Sequence, residues 1–183
     1  MKTLTILRHA KSGWDVAVER DFDRPINKRG QRGAELIGQW LKRRKLPVDR
    51  IIASPAVRVT ETLDIFQPAA GLDALEPHWD RRIYLASAAT LIDVIRDTGR
   101  DAQHLLISGH NPGLEDLILM LVPESAGDEL RARVEEKLPT SALARLDLDI
   151  ADWHDLDTGM ARFADFIRPR DLDPALPPAM DDD

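Results

Sequence analysis

Three short segments of the sequence carry side chains suited to binding and attacking phosphorus. Each directly follows a short apolar run, and they read Arg8-His9-Ala10-Lys11-Ser12, Ser54-Pro55-Ala56-Val57-Arg58 and Ser108-Gly109-His110-Asn111-Pro112. Arginine donates forked hydrogen bonds to phosphate oxygens, and a neutral imidazole is a nucleophile toward phosphorus. Taken together, Arg8, His9, Arg58 and His110 predict a site for a dianionic group, above all a phosphoryl group.

The apolar runs before these segments are typical of buried β-strands. They cover residues 4–7, 51–53 and 105–107, and stretches with helical spacing of apolar residues separate them. Strands that alternate with helices predict a largely parallel sheet, and ligand sites in such sheets lie beyond the carboxyl ends of the strands. Each of the two arginines and two histidines alone is more often an ordinary loop, turn or helix residue, but their joint placement predicts one shared site.

The rest of the chain completes an α/β pattern. Residues 142–150 alternate apolar and polar side chains, which is typical of a half-exposed strand, and residues 161–167 predict an edge strand. We expect a three-layer α/β/α sandwich with a mostly parallel central sheet and a late antiparallel strand. Helices are predicted to start at Ser54-Pro55 and at Asn111-Pro112, with N–H groups facing the site. Residues 72–86 show no regular pattern.

Charge is unevenly distributed along the 183 residues. The net charge is −7, yet residues 1–60 carry 14 basic and 6 acidic side chains, whereas residues 171–183 carry five aspartates and no base. The sequence therefore predicts one catalytic domain over residues 1–170 and a flexible acidic tail over residues 171–183. The alternative for this tail is that it docks on a basic partner.

Composition excludes or disfavours several classes of protein. The chain has no cysteine, which excludes disulfide frameworks, thiol nucleophiles and cysteine-based zinc sites. No apolar run approaches the roughly 18–20 residues of a membrane helix, and no signal-peptide pattern is present. The negative net charge argues against a nucleic-acid coat. We expect a cytoplasmic protein without a nucleic-acid or membrane partner.

Three further histidines lie outside the three segments. His78 falls in the irregular stretch, His104 at a strand start and His154 in a late loop, so each is interpreted as a structural residue. No pair of histidines has the helical spacing of metal ligands. The sequence therefore predicts neither a metal ion nor another cofactor.

The three segments together resemble the motifs of the histidine phosphatase superfamily, which is also called phosphoglycerate-mutase-like. Leu7-Arg8-His9-Ala10 resembles its Arg-His-Gly signature, residues 54–62 match Ser-Pro-x-x-Arg-x-x-x-Thr, and Gly109-His110-Asn111 matches its second-histidine motif. The resemblance extends over most of residues 1–167. Ala10, the Asp23-Arg24-Pro25-Ile26 segment and the short chain favour the branch of short phosphohistidine phosphatases of the SixA type.

This resemblance implies a role for each of the four residues. His9 would attack phosphorus and form a phosphohistidine, Arg8 and Arg58 would hold the phosphoryl oxygens, and His110 would stabilise the transferring group. His9 must then be neutral, and we expect the neighbouring cations to lower its pKa. The expected activity is that of a phosphatase acting on a phosphorylated protein or a small phosphorylated molecule, and the oligomeric state stays open, a monomer being compatible with it.

Two departures from the family pattern bear on the substrate. Lys11 stands where mutases carry glutamate, which disfavours mutase activity, and the stretch around residues 79–90 offers only Asp80 as a second acid. A missing acid fits a leaving group that needs little protonation, such as the imidazole of phosphohistidine. The alternatives are a broad-specificity phosphomonoesterase for small metabolites and a non-catalytic module that binds phosphorylated ligands.

Overall fold

A six-stranded mixed sheet forms the centre of the computed structural model, which describes residues 1–14, 17–124 and 129–177. Its strands are β1 (Lys2–Arg8), β2 (Arg50–Ala53), β3 (His78–Trp79), β4 (His104–Gly109), β5 (Leu143–Leu148) and β6 (Ala161–Ile167). They lie in the order β3-β2-β4-β1-β5-β6. All neighbours pair in parallel except β5, which is antiparallel to both β1 and β6. The predicted late antiparallel strand and edge strand are therefore confirmed.

Helices cover both faces of the sheet. They are α1 (Lys28–Arg43), α2 (Val57–Ala70), α3 (Ala88–Thr98), α4 (Gly113–Leu121), α5 (Glu129–Glu136) and α6 (Pro169–Leu172). Because side chains alternate along a strand, Leu106 packs with α1 and α2, whereas Leu105 and Ile107 pack with α3 and α4. The three-layer α/β/α architecture is thus confirmed. Among the described residues, no helix is both long enough and apolar enough to cross a membrane.

Both predicted helix starts were wrong. The helix expected at Ser54-Pro55 begins at Val57, and the one expected at Asn111-Pro112 begins at Gly113. In neither case does a side chain cap the helix. The hydroxyl of Ser54 instead lies 2.8 Å from Nε2 of His110, so a side chain that local sequence assigned to a cap belongs to the site.

Residues 72–86 are more regular than their sequence suggested. They contain the two-residue strand β3 and a 3₁₀ turn over Arg81–Ile83. The strand is short and its side chains are exposed, which explains why no apolar pattern marks it.

Part of the predicted acidic tail lies against the domain. Residues 169–172 form α6, where Asp171 pairs with Arg133 (2.8 Å). Further along, the carbonyl oxygen of Pro177 accepts a hydrogen bond from Arg29 (2.7 Å). Residues 171–177 therefore make specific contacts with the body of the protein. Residues 178–183 lie outside the described residues, and for them the tail stays a prediction.

Candidate active site

The ends of three parallel strands bring four side chains together. Arg8 ends β1 and lies opposite Gly109, the last residue of the neighbouring β4, so His9 and His110 follow adjacent strands. Their ring centroids are 5.3 Å apart. Arg58 comes from the first turn of α2, after β2. We refer to Arg8, His9, Arg58 and His110 as the four-residue cluster.

Burial sets the protonation state of His9. The side chain is only 3% exposed, and this loss of water, followed by the charge of Arg8, holds the pKa of His9 well below its usual value. The sequence suggested the cations as the cause, but burial is the larger one. His9 is therefore neutral at neutral pH.

A backbone carbonyl selects the tautomer of His9. Its Nδ1 lies 2.8 Å from the carbonyl oxygen of Ala10. A carbonyl oxygen only accepts hydrogen bonds, so Nδ1 carries the proton of the neutral ring and the lone pair resides on Nε2. His9 thus presents a nucleophilic nitrogen rather than a proton donor.

His110 is held neutral by the same physical cause. Burial, followed by the charge of Arg58, lowers the pKa of His110 to about 3. Its Nε2 pairs with the Ser54 hydroxyl, which also accepts a hydrogen bond from the N–H of Ala56 (3.3 Å). The Nδ1 atom of His110 is buried and has no hydrogen-bond partner among the described residues. One ring nitrogen is therefore fixed by Ser54, whereas the other has an unused hydrogen-bonding capacity inside the protein.

The two arginines are buried and anchored by the surrounding loops. Arg8 Nη1 donates to the carbonyl oxygen of Leu138 (2.9 Å). Arg58 donates from Nη1 to the carbonyl oxygen of Asp21 (2.8 Å) and from Nη2 to its carboxylate (3.0 Å). The exposed fraction of each of these two residues is at most 4%. Two fixed guanidinium groups beside a neutral imidazole form a site that favours a dianionic group.

Thr62 connects the loop after His9 to the helix that carries Arg58. Its hydroxyl accepts a hydrogen bond from the N–H of Ala10 (2.8 Å) and donates one to the carbonyl oxygen of Arg58. The residue is completely buried. The threonine of the second motif therefore fixes the loop after β1 against the first turn of α2, which carries Arg58.

Asp21 and Tyr84 complete the surroundings, and sequence reasoning missed both. The Tyr84 hydroxyl donates to the Asp21 carboxylate (2.9 Å), and the Tyr84 ring meets that of His110 edge-on at 5.3 Å. Burial raises the pKa of Asp21, but the hydrogen bond from Tyr84 and the charge of Arg58 outweigh it and lower the pKa overall. Asp21 lies in an irregular polar loop, where no periodicity links it to Arg58.

The other residues considered from sequence lie elsewhere. Asp80 caps the 3₁₀ turn over Arg81–Ile83 and pairs with Arg82 (2.8 Å). Its carboxylate therefore has a structural role. His78 is exposed in β3, and His154 is exposed in another 3₁₀ turn. Within the described residues, no group of three or more histidine, aspartate or glutamate side chains has the geometry of a metal site.

Comparison with known proteins agrees with this geometry. A family model described as the histidine phosphatase superfamily (branch 1) matches residues 4–83. An uncharacterized protein of Mycobacterium tuberculosis (Rv1276c) is 36% identical over 165 residues, which are 90% of this chain and all of that protein. The crystal structure of a candidate phosphohistidine phosphatase SixA from Agrobacterium tumefaciens is 30% identical, with a TM-score of 0.74 over 92% of this chain and 99% of that one.

The chain belongs to the histidine phosphatase superfamily. The protein is a phosphatase, a hydrolase that removes phosphoryl groups from its substrates. Escherichia coli phosphohistidine phosphatase SixA is also similar, at 26% identity over 151 residues, which are 79% of this chain and 84% of that protein. In this superfamily member, the three motifs meet at one edge of the sheet, as their order along the chain predicted.

Proposed function

We propose that this phosphatase removes the phosphoryl group from phosphohistidine, through a covalent phosphohistidine on its own His9. The observation that carries the proposal is the state of the His9 ring. Burial keeps it neutral, and the Ala10 carbonyl oxygen, 2.8 Å from Nδ1, leaves the lone pair on Nε2. That nitrogen lies among two buried arginines and a second neutral imidazole.

In the first step, Nε2 of His9 attacks phosphorus. The bond between phosphorus and the substrate nitrogen breaks as the new bond to Nε2 forms. Arg8 and Arg58 hold the phosphoryl oxygens, and the free Nδ1 of His110 contacts the transferring group, since fixed donors contribute most to phosphoryl transfer. The substrate imidazole, already protonated by solvent at its other nitrogen, leaves as a neutral ring.

In the second step, water attacks the phosphorus of the phosphorylated His9. The bond to Nε2 breaks, and inorganic phosphate forms, with the surplus proton passing to solvent. The Nδ1–H of His9, held by Ala10, means that His9 also leaves as a neutral imidazole. The same hydrogen bond therefore supports both attack by His9 and its later departure.

Neither Asp21, which contacts Arg58, nor Asp80, the acid suggested by the sequence, is suited to protonate an alkoxide, and this favours an imidazole leaving group. Asp21 and Asp80 both have lowered pKa values and are ionised at neutral pH, so neither is suited to protonate a departing oxygen. An alkoxide leaving group needs that proton, whereas an imidazole needs it far less. The similarity to the two SixA proteins supports the same substrate class.

Two measurements test this function. Incubation with a radiolabelled phosphohistidine peptide and rapid quenching is expected to label the wild type and the exposed-histidine control His154→Ala, but not His9→Ala. The kcat/KM for the phosphohistidine peptide is expected to exceed that for alkyl phosphomonoesters by at least about 100-fold, the usual contribution of a general acid. Labelling of His9→Ala would refute the assignment of His9 as the nucleophile, and comparable kcat/KM values would favour a phosphomonoesterase instead.

The cytoplasmic location and the catalytic domain over residues 1–170 stay predictions.

A further inference from the structure

The Ser54 hydroxyl meets His110 because of the register of two strands. Ala53, the last residue of β2, pairs with Ser108 of β4, and the N–H of Ser54 donates to the Ser108 carbonyl oxygen (3.1 Å). Ser54 and His110 therefore each lie directly beyond the end of one of two neighbouring parallel strands. The 2.8 Å contact between Oγ of Ser54 and Nε2 of His110 follows from this pairing.

A second hydrogen bond holds the Ser54 hydroxyl from the other side. Its Oγ atom accepts from the N–H of Ala56 (3.3 Å), two residues further along the chain, which is a turn that serine hydroxyls commonly make. Pro55 lies between them and restricts the backbone conformation of Ser54. Ser54 is completely buried, so bulk solvent does not compete for its hydroxyl.

These contacts determine the direction of the hydrogen bond between Ser54 and His110. A hydroxyl has one hydrogen to donate and lone pairs with which to accept. One lone pair receives the N–H of Ala56, and among the described residues the only acceptor that the hydroxyl hydrogen contacts is Nε2 of His110. If Nε2 carried a hydrogen, the buried O–H would have no acceptor, which costs free energy. Ser54 therefore donates and His110 accepts.

The direction of this bond assigns the proton of His110. Because burial lowers the pKa of His110 to about 3, the ring is neutral at neutral pH and carries a single hydrogen. The lone pair of Nε2 accepts from Ser54, so the hydrogen lies on Nδ1. In the part of the chain that the structure describes, this buried Nδ1 atom has no hydrogen-bond partner. His110 is thus a hydrogen-bond donor at Nδ1, and its lone pair is engaged.

We propose that Ser54 is a positioning residue that makes His110 a hydrogen-bond donor and thereby leaves His9 as the nucleophilic imidazole of the site. Both rings are neutral and their centroids are only 5.3 Å apart, so charge does not distinguish them. Their partners do, because Ala10 binds the N–H side of His9, whereas Ser54 binds the lone pair of His110. The tautomer follows from these contacts, and its consequence for phosphoryl transfer rests on the proposed function.

Nitrogen NMR of the full chain with ¹⁵N-labelled histidine locates the proton. At neutral pH, the wild type is expected to show a protonated Nδ1 and an unprotonated Nε2 for His110, whose signals are those missing from His110→Gln. Ser54→Ala is expected to give a mixture of the two tautomers, because Nε2 loses its donor. The matched control is Ser108→Ala, which is expected to keep the wild-type tautomer. It removes another completely buried hydroxyl, one without a hydrogen-bond partner in the described ranges.

Rapid-quench labelling of His9 measures the consequence for catalysis. Ser54→Ala is expected to form the phosphoenzyme at least about fivefold more slowly, because a donor to the transferring group is no longer fixed. Its KM is expected to change little, since Arg8 and Arg58 still hold the phosphoryl oxygens. Ser108→Ala is expected to keep the wild-type rate.

Two results would overturn the proposal. One is a hydrogen on Nε2 of His110 in the wild type, and this spectrum decides the tautomer even if the alanine variant fails to fold. The other is the same labelling rate in Ser54→Ala as in Ser108→Ala. A wild type with the proton on Nδ1 of His110 but no labelling of His9 would instead overturn the proposed function, while confirming the tautomer that Ser54 selects.

Discussion

Replacing Thr62 by valine tests how the site holds its nucleophile. The change keeps the shape of the side chain and removes one hydroxyl. That hydroxyl is completely buried and accepts a hydrogen bond from the N–H of Ala10 (2.8 Å). In Thr62→Val this N–H has no partner, and the same Ala10 residue carries the carbonyl oxygen that fixes the His9 tautomer.

The expected cost follows from the unsatisfied donor. A buried N–H without a partner costs about 1–3 kcal/mol, which for a domain of this size lowers Tm by about 2–12 °C. If the Ala10 peptide also rotates to seek a partner, the His9 tautomer is less well selected. A loss of about 1.4 kcal/mol in that orientation slows phosphoenzyme formation about tenfold.

Urea unfolding and rapid-quench labelling measure the two effects. Thr62→Ser is the matched control, because it keeps the hydroxyl and removes only a methyl group. Thr62→Val is expected to lose both stability and labelling rate, whereas Thr62→Ser retains the labelling rate. A valine variant that labels as fast as the wild type would show that Ala10 does not need Thr62 to orient His9.

Three further predictions concern His110, Asp21 and His9. The pKa of His110 is about 3 in the folded protein and near 6.5 in the unfolded chain. The unfolded chain therefore takes up a proton that the folded protein does not, and the free energy of unfolding decreases as pH falls below about 6.5. Between pH 7.5 and 5.5 the loss is about 1.4 kcal/mol, and unfolding titrations of His110→Asn are expected to show a pH-dependent loss smaller by that amount; identical slopes would contradict it. Asp21→Asn weakens the anchor of Arg58, and because the Asp21 side chain is 37% exposed, the cost is about 1 kcal/mol, or about fivefold in kcat/KM. Tyr84→Phe, which leaves both bonds from Arg58 to Asp21 in place, is expected to lose less, and a larger loss would refute this order. Labelling at His9 is expected not to decrease between pH 8 and pH 6, since burial keeps His9 neutral; a half-loss near pH 6.5 would show that His9 titrates normally.

The convergence of Arg8, His9, Arg58 and His110 was predictable because it follows from topology. Each residue comes after a strand with a strong apolar signal, and parallel strands place their carboxyl ends at one edge. The alternation in β5 was equally readable, since its apolar residues face a core and its polar residues are partly exposed. The predicted start of α2 at Pro55 was wrong because the helix begins two residues later, at Val57, and the Ser54 hydroxyl pairs with His110 across the site.

The sequence by itself determined every strand except the short β3, the three motifs and the uneven charge, because these depend on residue type and local spacing. Only the tertiary structure decided that Asp21 and Tyr84 join the site from separate loops, since their contact spans 63 positions. It also decided that residues 171–177 lie against α1 and α5, because their partners Arg29 and Arg133 are distant in sequence. The state of His9 depended on both levels: the motif supplies the imidazole, but only burial and the Ala10 carbonyl make it neutral and direct its lone pair.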